Sequence, residues 1–199
     1  SIYANGYLKY KDSRYKYVIE KTVQFLEQNM LNSNGGYISS IDADNEGKEG
    51  AYYIWNKQEL KEILGASYKQ FLKSYKLTPI EKEGNTYILS KNSYDPSISK
   101  EKLEWVNLLV NKRKQRTPPN RDIKKITSWN ALLIIGYADA YRALQDTKYL
   151  DLAKSLAEDL HTQAFKNGKL KHIFNNNSNK KDVFLEDYAY LISAYLKLY

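Results

Sequence analysis

The chain contains no cysteine. That absence excludes disulfides, thiolate nucleophiles and cysteine-bound metal from these 199 residues. Histidine is nearly as scarce. His161 and His172 are the only two, too few for a histidine-rich metal site. No apolar run approaches the roughly 20 residues of a membrane span. The opening residues, Ser1-Ile2-Tyr3-Ala4-Asn5-Gly6, lack a charged-then-apolar signal pattern. The expectation is a chain of the cytoplasm with no membrane partner, no cofactor and no metal. Hydrophobic residues make up 42% and charged residues 27%. That is the composition of one ordinary folded domain or two small ones.

The net charge is +8. Basic chains raise nucleic acid as a partner. Here 26 of the 31 basic residues are lysines, scattered along the whole chain. Nucleic-acid sites lean on arginine and on clustering. The densest stretch, Lys112-Arg113-Lys114-Gln115-Arg116, reads as the charged C-terminal end of a helix. No nucleic-acid partner is expected.

Apolar residues at three-four spacing predict a helix from Ser13 to Leu31, stopped by Asn32 to Gly36. Short extended pieces follow at Tyr37 to Ile41 and Ala51 to Trp55, a small hairpin-like excursion. Asn56 caps a helix to about Leu64, with Glu59 completing a capping box. Helices are also expected at Tyr68 to Tyr75, Ser99 to Gln115, Trp129 to Leu144 (capped by Ser128), Thr147 to Phe165 (capped by Asp146) and from Leu185 onward. Thr78 to Asp95 reads as a loop with an extended piece at Asn85 to Ser90. Asn167-Gly168 reads as a turn, Lys169 to Phe174 as extended, and Asn175 to Asn179 as a polar loop tip.

The chain repeats itself. At a shift of 134, Tyr3-Ala4-Asn5-Gly6-Tyr7 falls on Tyr137-Ala138-Asp139-Ala140-Tyr141, and Asp12-Ser13-Arg14-Tyr15 falls on Asp146-Thr147-Lys148-Tyr149. At a shift of 58, Ala131, Leu133, Tyr137 and Tyr141 fall on Ala189, Leu191, Tyr195 and Tyr199. The unit is an inner helix apolar almost all round, an Asp-led turn and an outer amphipathic helix. A ring of such hairpins makes an α/α toroid, although a helical solenoid has the same periodicity. Ser1 to Tyr10 matches half of an inner helix and Tyr199 falls partway through another. The expectation is therefore a mainly α, incomplete α/α toroid with short β excursions in its loops, residues 1–199 forming a single segment of it.

Three motifs carry chemistry. Asp42, Asp44, Glu46 and Glu49 crowd into one glycine-bearing loop. The spacing fails as a calcium loop because Tyr53 stands where the bidentate glutamate belongs. A solvated turn, a carboxylate-lined cavity mouth and another metal site all remain open. Ser128-Trp129-Asn130 opens an inner helix. An indole stacks on a sugar ring and an amide bonds hydroxyls, but a helix cap with a core tryptophan fits equally. Glu186-Asp187-Tyr188 stands at the corresponding place of the last helix. Two acids at a helix N-terminus need only the dipole as explanation; the functional reading makes Asp187 a general acid or base paired with another carboxylate. His172 reads as a weak candidate near the cavity and His161 as a surface residue. No P-loop, dinucleotide fingerprint or serine-nucleophile elbow is present.

The stretch Gly35-Gly36-Tyr37-Ile38-Ser39-Ser40-Ile41-Asp42-Ala43-Asp44-Asn45-Glu46-Gly47-Lys48-Glu49-Gly50, with Tyr53-Ile54-Trp55, resembles the glycine-rich acidic hallmark of the YyaL-like, thioredoxin-domain-containing proteins. That family includes the animal spermatogenesis-associated thioredoxin-like proteins. Ile126-Thr127-Ser128-Trp129-Asn130-Ala131 and Phe184-Leu185-Glu186-Asp187-Tyr188-Ala189 resemble two further family motifs in the same order. Asn45, Glu186 and Ile123 depart from the residues common there, and Ile123 weakens any role for Asp122. The resemblance implies a thioredoxin-like domain, absent from this chain, followed by a six-hairpin glycosidase-like toroid. The expected function is a carbohydrate-active or carbohydrate-binding toroid with a sugar ligand. The expected catalytic carboxylates are Asp187, Asp44, Asp42 and Glu46. Trp129, Asn130, Glu186, Tyr188, Glu49 and His172 are expected to bind the substrate. The rival expectation is a non-catalytic scaffold that presents the thioredoxin-like domain to protein partners.

Overall fold

Asp12 and Asp146 start two long helices in the same way. Each carboxylate accepts a backbone N–H two residues on, from Arg14 at 2.8 Å and from Lys148 at 3.0 Å. Each is preceded by a left-handed residue, Lys11 at φ 53° and Gln145 at φ 56°. Those residues close the preceding helices by donating N–H to Tyr7 O and Tyr141 O. Every one of these pairs is separated by 134 residues, so the sequence repeat is a repeat of turn geometry.

The computed structural model describes residues 1–45, 47–80, 84–93, 99–166, 168–174 and 183–199. The expected catalytic residue Glu46, the Asn167 turn position and the loop tip Asn175 to Asn179 lie outside the described residues. The chain is mainly helical with short two-stranded sheets. It divides into two units, one of Ser1–Ser40 with Arg121–Tyr199 and one of Ile41–Asn120. No helix among the described residues is long and apolar enough to cross a membrane.

The first unit holds helices α1 (Ile2–Tyr10) and α2 (Ser13–Asn29). The second unit holds α3 (Lys57–Leu64), α4 (Tyr68–Ser74) and α5 (Lys100–Arg113). The first unit resumes with α6 (Thr127–Leu144), α7 (Thr147–Gln163) and α8 (Leu185–Leu198). Helix α6 is central: α7, α8 and α1 all pack against it. Its small residues Ala131, Ala138, Ala140 and Ala143 are buried, which lets those neighbours approach closely. Ile134, Tyr137, Leu156, Leu160, Phe174 and Leu191 fill the space between them. Of the expected inner helices, α6 comes nearest to burial all round, with Trp129, Leu132 and Arg142 exposed. Among the described residues, Ala4 is the buried residue of α1, and Asp187, Leu191 and Ala194 are those of α8.

The second unit departs from expectation in its strands. Tyr75–Pro79 is extended and pairs antiparallel with Tyr87–Lys91, with Leu77 opposite Leu89. Pro79 sits at the end of the strand, where its missing N–H costs no ladder bond. Ala51 to Trp55 is a turn instead of a strand, and the tight antiparallel pair is Asp44–Asn45 with Lys48–Glu49. A separate apolar cluster of Trp55, Leu60, Leu64, Phe71, Trp105 and Leu109 forms the core of this unit. Phe71 stacks on Tyr75 at 4.5 Å and meets Trp105 edge-on at 5.8 Å.

Arg116 ties the 51–55 turn to α3. Its guanidinium donates to the carbonyls of Tyr52 at 3.0 Å and Ile54 at 2.7 Å, and to both oxygens of Glu59 at 2.9 and 2.8 Å. It also lies 4.2 Å from the Trp55 ring centroid. Asn56 caps α3 through the Glu59 N–H at 2.7 Å as expected. The Glu59 carboxylate turns to Arg116, so the expected reciprocal capping box gives way to a bidentate ion pair. Arg116→Met keeps an apolar stem over Trp55 and loses every one of these bonds. The expected cost is about 2–4 kcal/mol, confined to the second unit. Hydrogen exchange of peptides covering residues 51–62 measures it.

Candidate functional site

The first turn of α6 has backbone N–H groups with no partner inside the helix. Sequence reasoning gave Ser128 the task of capping them. The helix instead starts at Thr127, with Ile126 at the cap position and no side-chain cap bond from it. Remote residues take over. Thr127 N–H donates to His172 O at 2.8 Å, and Ser128 N–H donates to Asp187 Oδ1 at 3.0 Å. The segment carrying His172 runs alongside: Thr127 Oγ1 donates to Lys171 O at 2.5 Å and Phe174 N–H to Lys125 O at 3.0 Å. His172 is thereby fixed through the backbone on both sides.

Asp187 is fully buried, with 0% exposure. Its Oδ2 accepts the Phe184 N–H at 3.0 Å, capping its own helix. His172 Nδ1 approaches Oδ2 at 2.9 Å and Oδ1 at 3.1 Å. The imidazole packs edge-on to Phe184, centroids 4.7 Å apart, and its side chain keeps 21% exposure. Its Nε2 has no hydrogen-bond partner among the described residues. The Ser128 hydroxyl, 1% exposed, also lacks one there.

A second cluster surrounds the Gly35-Gly36 turn. Both glycines have positive φ, 76° and 70°. Gly36 N–H donates to Asp159 Oδ2 at 2.9 Å. Lys125, buried, donates through Nζ to Gly35 O at 2.8 Å and to Gln163 Oε1 at 2.7 Å, and lies 4.8 Å from the Phe174 ring centroid. Burial pushes the Lys125 ammonium below its ordinary range, and the Asp159 carboxylate works against that shift. Lys125, Asp159 and Gln163 were invisible as a set in the sequence. The one available signal was that Asp159 and Gln163, four apart, share a face of α7.

Asn130 is spent on the same turn. Its Oδ1 accepts Tyr37 N–H at 2.7 Å, and its Nδ2 donates to Tyr37 O at 3.0 Å and Ile126 O at 2.9 Å. A substrate hydroxyl finds no free amide there, because the side chain replaces a strand partner for Tyr37. The Tyr37 and Tyr137 hydroxyls meet at 2.8 Å. Burial raises both phenols above the ordinary value near 10, and raises Tyr149 and Tyr195 as well. Each stays protonated in the fold while the unfolded chain ionises, so above pH 10 the unfolded state binds fewer protons. Stability is full below about pH 10 and falls as pH rises past it. Thermal melts between pH 8 and 11 are expected to show this fall. Tyr137→Phe reduces its steepness, at the cost of about 1 kcal/mol near pH 8 for the lost hydroxyl pair.

Trp129 is 53% exposed and borders a groove of about 320 Å³ lined by Leu26, Met30, Ile38, Ser39, Ile126 and Leu132. Glu186 and Tyr188 are exposed on the first turn of α8. Asp42, Asp44 and Glu49 belong to the second unit, where all three are exposed and Asp44 stands opposite Glu49. No cluster of three carboxylates or histidines among the described residues is arranged to hold a metal ion. His161 is exposed on α7. Of the expected site residues, the structure brings His172 and Asp187 into contact and places Ser128, the neighbour of Trp129, on the same carboxylate. Asp187 cannot itself touch a substrate as expected, because it is enclosed and both oxygens are occupied.

No protein-family model matches the chain. It is 26% identical to the human spermatogenesis-associated protein 20, over 99% of this chain and 31% of that protein. The mouse protein of the same name is also 26% identical, over 100% of this chain and 31% of its own length. The similarity to spermatogenesis-associated protein 20 thus runs through nearly the whole of this chain. An uncharacterized Caenorhabditis elegans protein is 30% identical over 95% of this chain and 32% of its own length. The chain spans about a third of the length of the curated relatives it matches.

Proposed function

We propose that the chain is part of a carbohydrate-binding or carbohydrate-active α/α toroid of the YyaL-like kind, working in the cytoplasm beside a thioredoxin-like domain of the longer protein. The observation that carries the reading is Trp129: a half-exposed indole over an open groove, on the central helix of side-by-side αα-hairpins. An exposed indole face stacks on the apolar face of a pyranose, at no cost in core packing. The α1–α2 and α6–α7 hairpins, joined through α1 and α6, are the kind of neighbours a toroid stacks around its axis.

A thermal-shift screen of the full-length protein against mono- and disaccharides and sugar phosphates tests the reading. A ligand at 100 times its dissociation constant stabilises the folded state by about 2.7 kcal/mol. The expected result is a sugar that raises the melting temperature of the wild type and not of Trp129→Ala. Trp129 is exposed enough that this substitution leaves the fold standing.

The scaffold reading has one observation in its favour. Asp187 is saturated by structural hydrogen bonds, as a purely architectural carboxylate would be. No shift across the panel, together with capture of protein partners through the thioredoxin-like domain, moves the assignment there.

A further inference from the structure

The pairing of His172 with Asp187 has a feature that architecture alone does not require. A buried carboxylate needs donors, and the Ser128 and Phe184 amides already supply one to each oxygen. The imidazole adds a third, through Nδ1. Its backbone position is held independently, by the Thr127 N–H on its own carbonyl and by the Thr127 hydroxyl on the carbonyl before it. The ring is therefore oriented at both ends, by the main chain and by the carboxylate. A carboxylate accepting from Nδ1–H leaves the neutral ring with its lone pair on Nε2. That nitrogen has no partner among the described residues, and the side chain reaches the surface. The Ser128 hydroxyl, whose own amide shares Asp187 Oδ1, is buried and unpartnered as well. An unpartnered buried hydroxyl in a native fold calls for a water or a ligand group.

We infer that His172 exchanges a proton with the ligand through Nε2, that Asp187 is its positioning residue, and that the ligand presents a hydroxyl to this site. This rests on the carbohydrate reading for its ligand class. The step is a proton transfer: Nε2 takes the hydroxyl proton, the oxygen keeps the electron pair, and the imidazolium beside the Asp187 carboxylate later returns the proton. Two-carboxylate glycoside hydrolysis needs both carboxylates on the substrate, which the enclosure of Asp187 forbids. An imidazole backed by a carboxylate meets the same need with one partly exposed group.

The test uses no sugar, so it can fail while the carbohydrate reading stands, and the reverse. In the full-length protein, ¹⁵N imidazole spectra are recorded across pH, with the His172 signals identified by their loss in His172→Gln. Diethyl pyrocarbonate, which reacts with an unprotonated imidazole nitrogen, is the chemical probe, with modification read by mass spectrometry at His172 and at the exposed His161. The neutral ring is expected to carry its proton on Nδ1. His172 should react in the folded protein at a rate comparable to His161. Asp187→Asn presents an amide donor to Nδ1, moves the ring proton to Nε2, and is expected to slow the reaction of His172 by about 10-fold or more while leaving His161 unchanged. A wild-type ring protonated on Nε2, or a His172 inert to the probe while the protein is folded, overturns the inference. Should Asp187→Asn fail to fold, the wild-type tautomer and probe rate decide alone.

Discussion

Gly35→Ala is expected to cost the first unit about 3 kcal/mol or more, enough to leave a marginally stable protein largely unfolded. Two effects add. The residue sits at φ 76°, where an L side chain is strained by about 1–2 kcal/mol. A Cβ there also comes within 2.5 Å of Asp159 Cγ, a separation no real Cβ contact tolerates. The carboxylate cannot step aside cheaply, because it accepts the Gly36 N–H and the Gln163 amide. Moving it leaves a backbone donor unpaired and takes a negative charge away from the buried Lys125 ammonium. Gly36→Ala meets the Phe174 ring at 2.9 Å and Lys125 Cδ at 3.1 Å, so a similar loss is expected. Denaturant melts give the size of the effect. Hydrogen exchange shows whether it stays with residues 30–40 and 159–174. An alanine at 35 that melts within about 1 kcal/mol of the wild type would mean that the turn relaxes and that the glycine pair has no packing role.

Asp187→Ala has the second large effect. The side chain lies wholly inside and answers three donors, from Ser128, Phe184 and His172. Its removal uncaps α6 and α8 together and leaves buried N–H groups without acceptors, at about 1–3 kcal/mol each. The expected loss is about 3–5 kcal/mol, or roughly 10 °C in melting temperature for a chain of this size. Asp187→Asn retains one acceptor oxygen and is expected to cost about half as much. Fraying should appear first at the N-terminal turns of α6 and α8. Loss of binding or activity in Asp187→Ala without any change in stability would contradict a carboxylate that acts through position.

The repeat shows how far local chemistry carries. Asp12 and Asp146 are short acceptors ahead of an amphipathic run, and a cap acts within two or three residues. Their helices were readable for that reason. The Tyr75–Pro79 strand was not, because what makes it a strand is pairing with Tyr87–Lys91 further along the chain. Asn130 shows the same limit at the site. Its type suits a ligand hydroxyl or a backbone clamp equally, and only the position of Tyr37, 93 residues away, decides for the clamp. Asp187 was singled out by sequence but given the wrong access. Burial depends on what packs around a helix end, and spacing carries no information on that.

By itself, the sequence determined the mainly helical class, the hairpin repeat with its Asp-led turns, the glycine pair, and the absence of cysteine chemistry. All of these follow from interactions within one turn of the chain or from composition. Only the tertiary structure decided that Asp187 is enclosed and joined to His172, that Lys125, Asp159 and Gln163 gather around Gly35 and Gly36, and that Arg116 holds the turn before α3. Each of those contacts joins residues far apart in the chain, and their energies come from desolvation and hydrogen-bond completion, which exist only once the helices have packed.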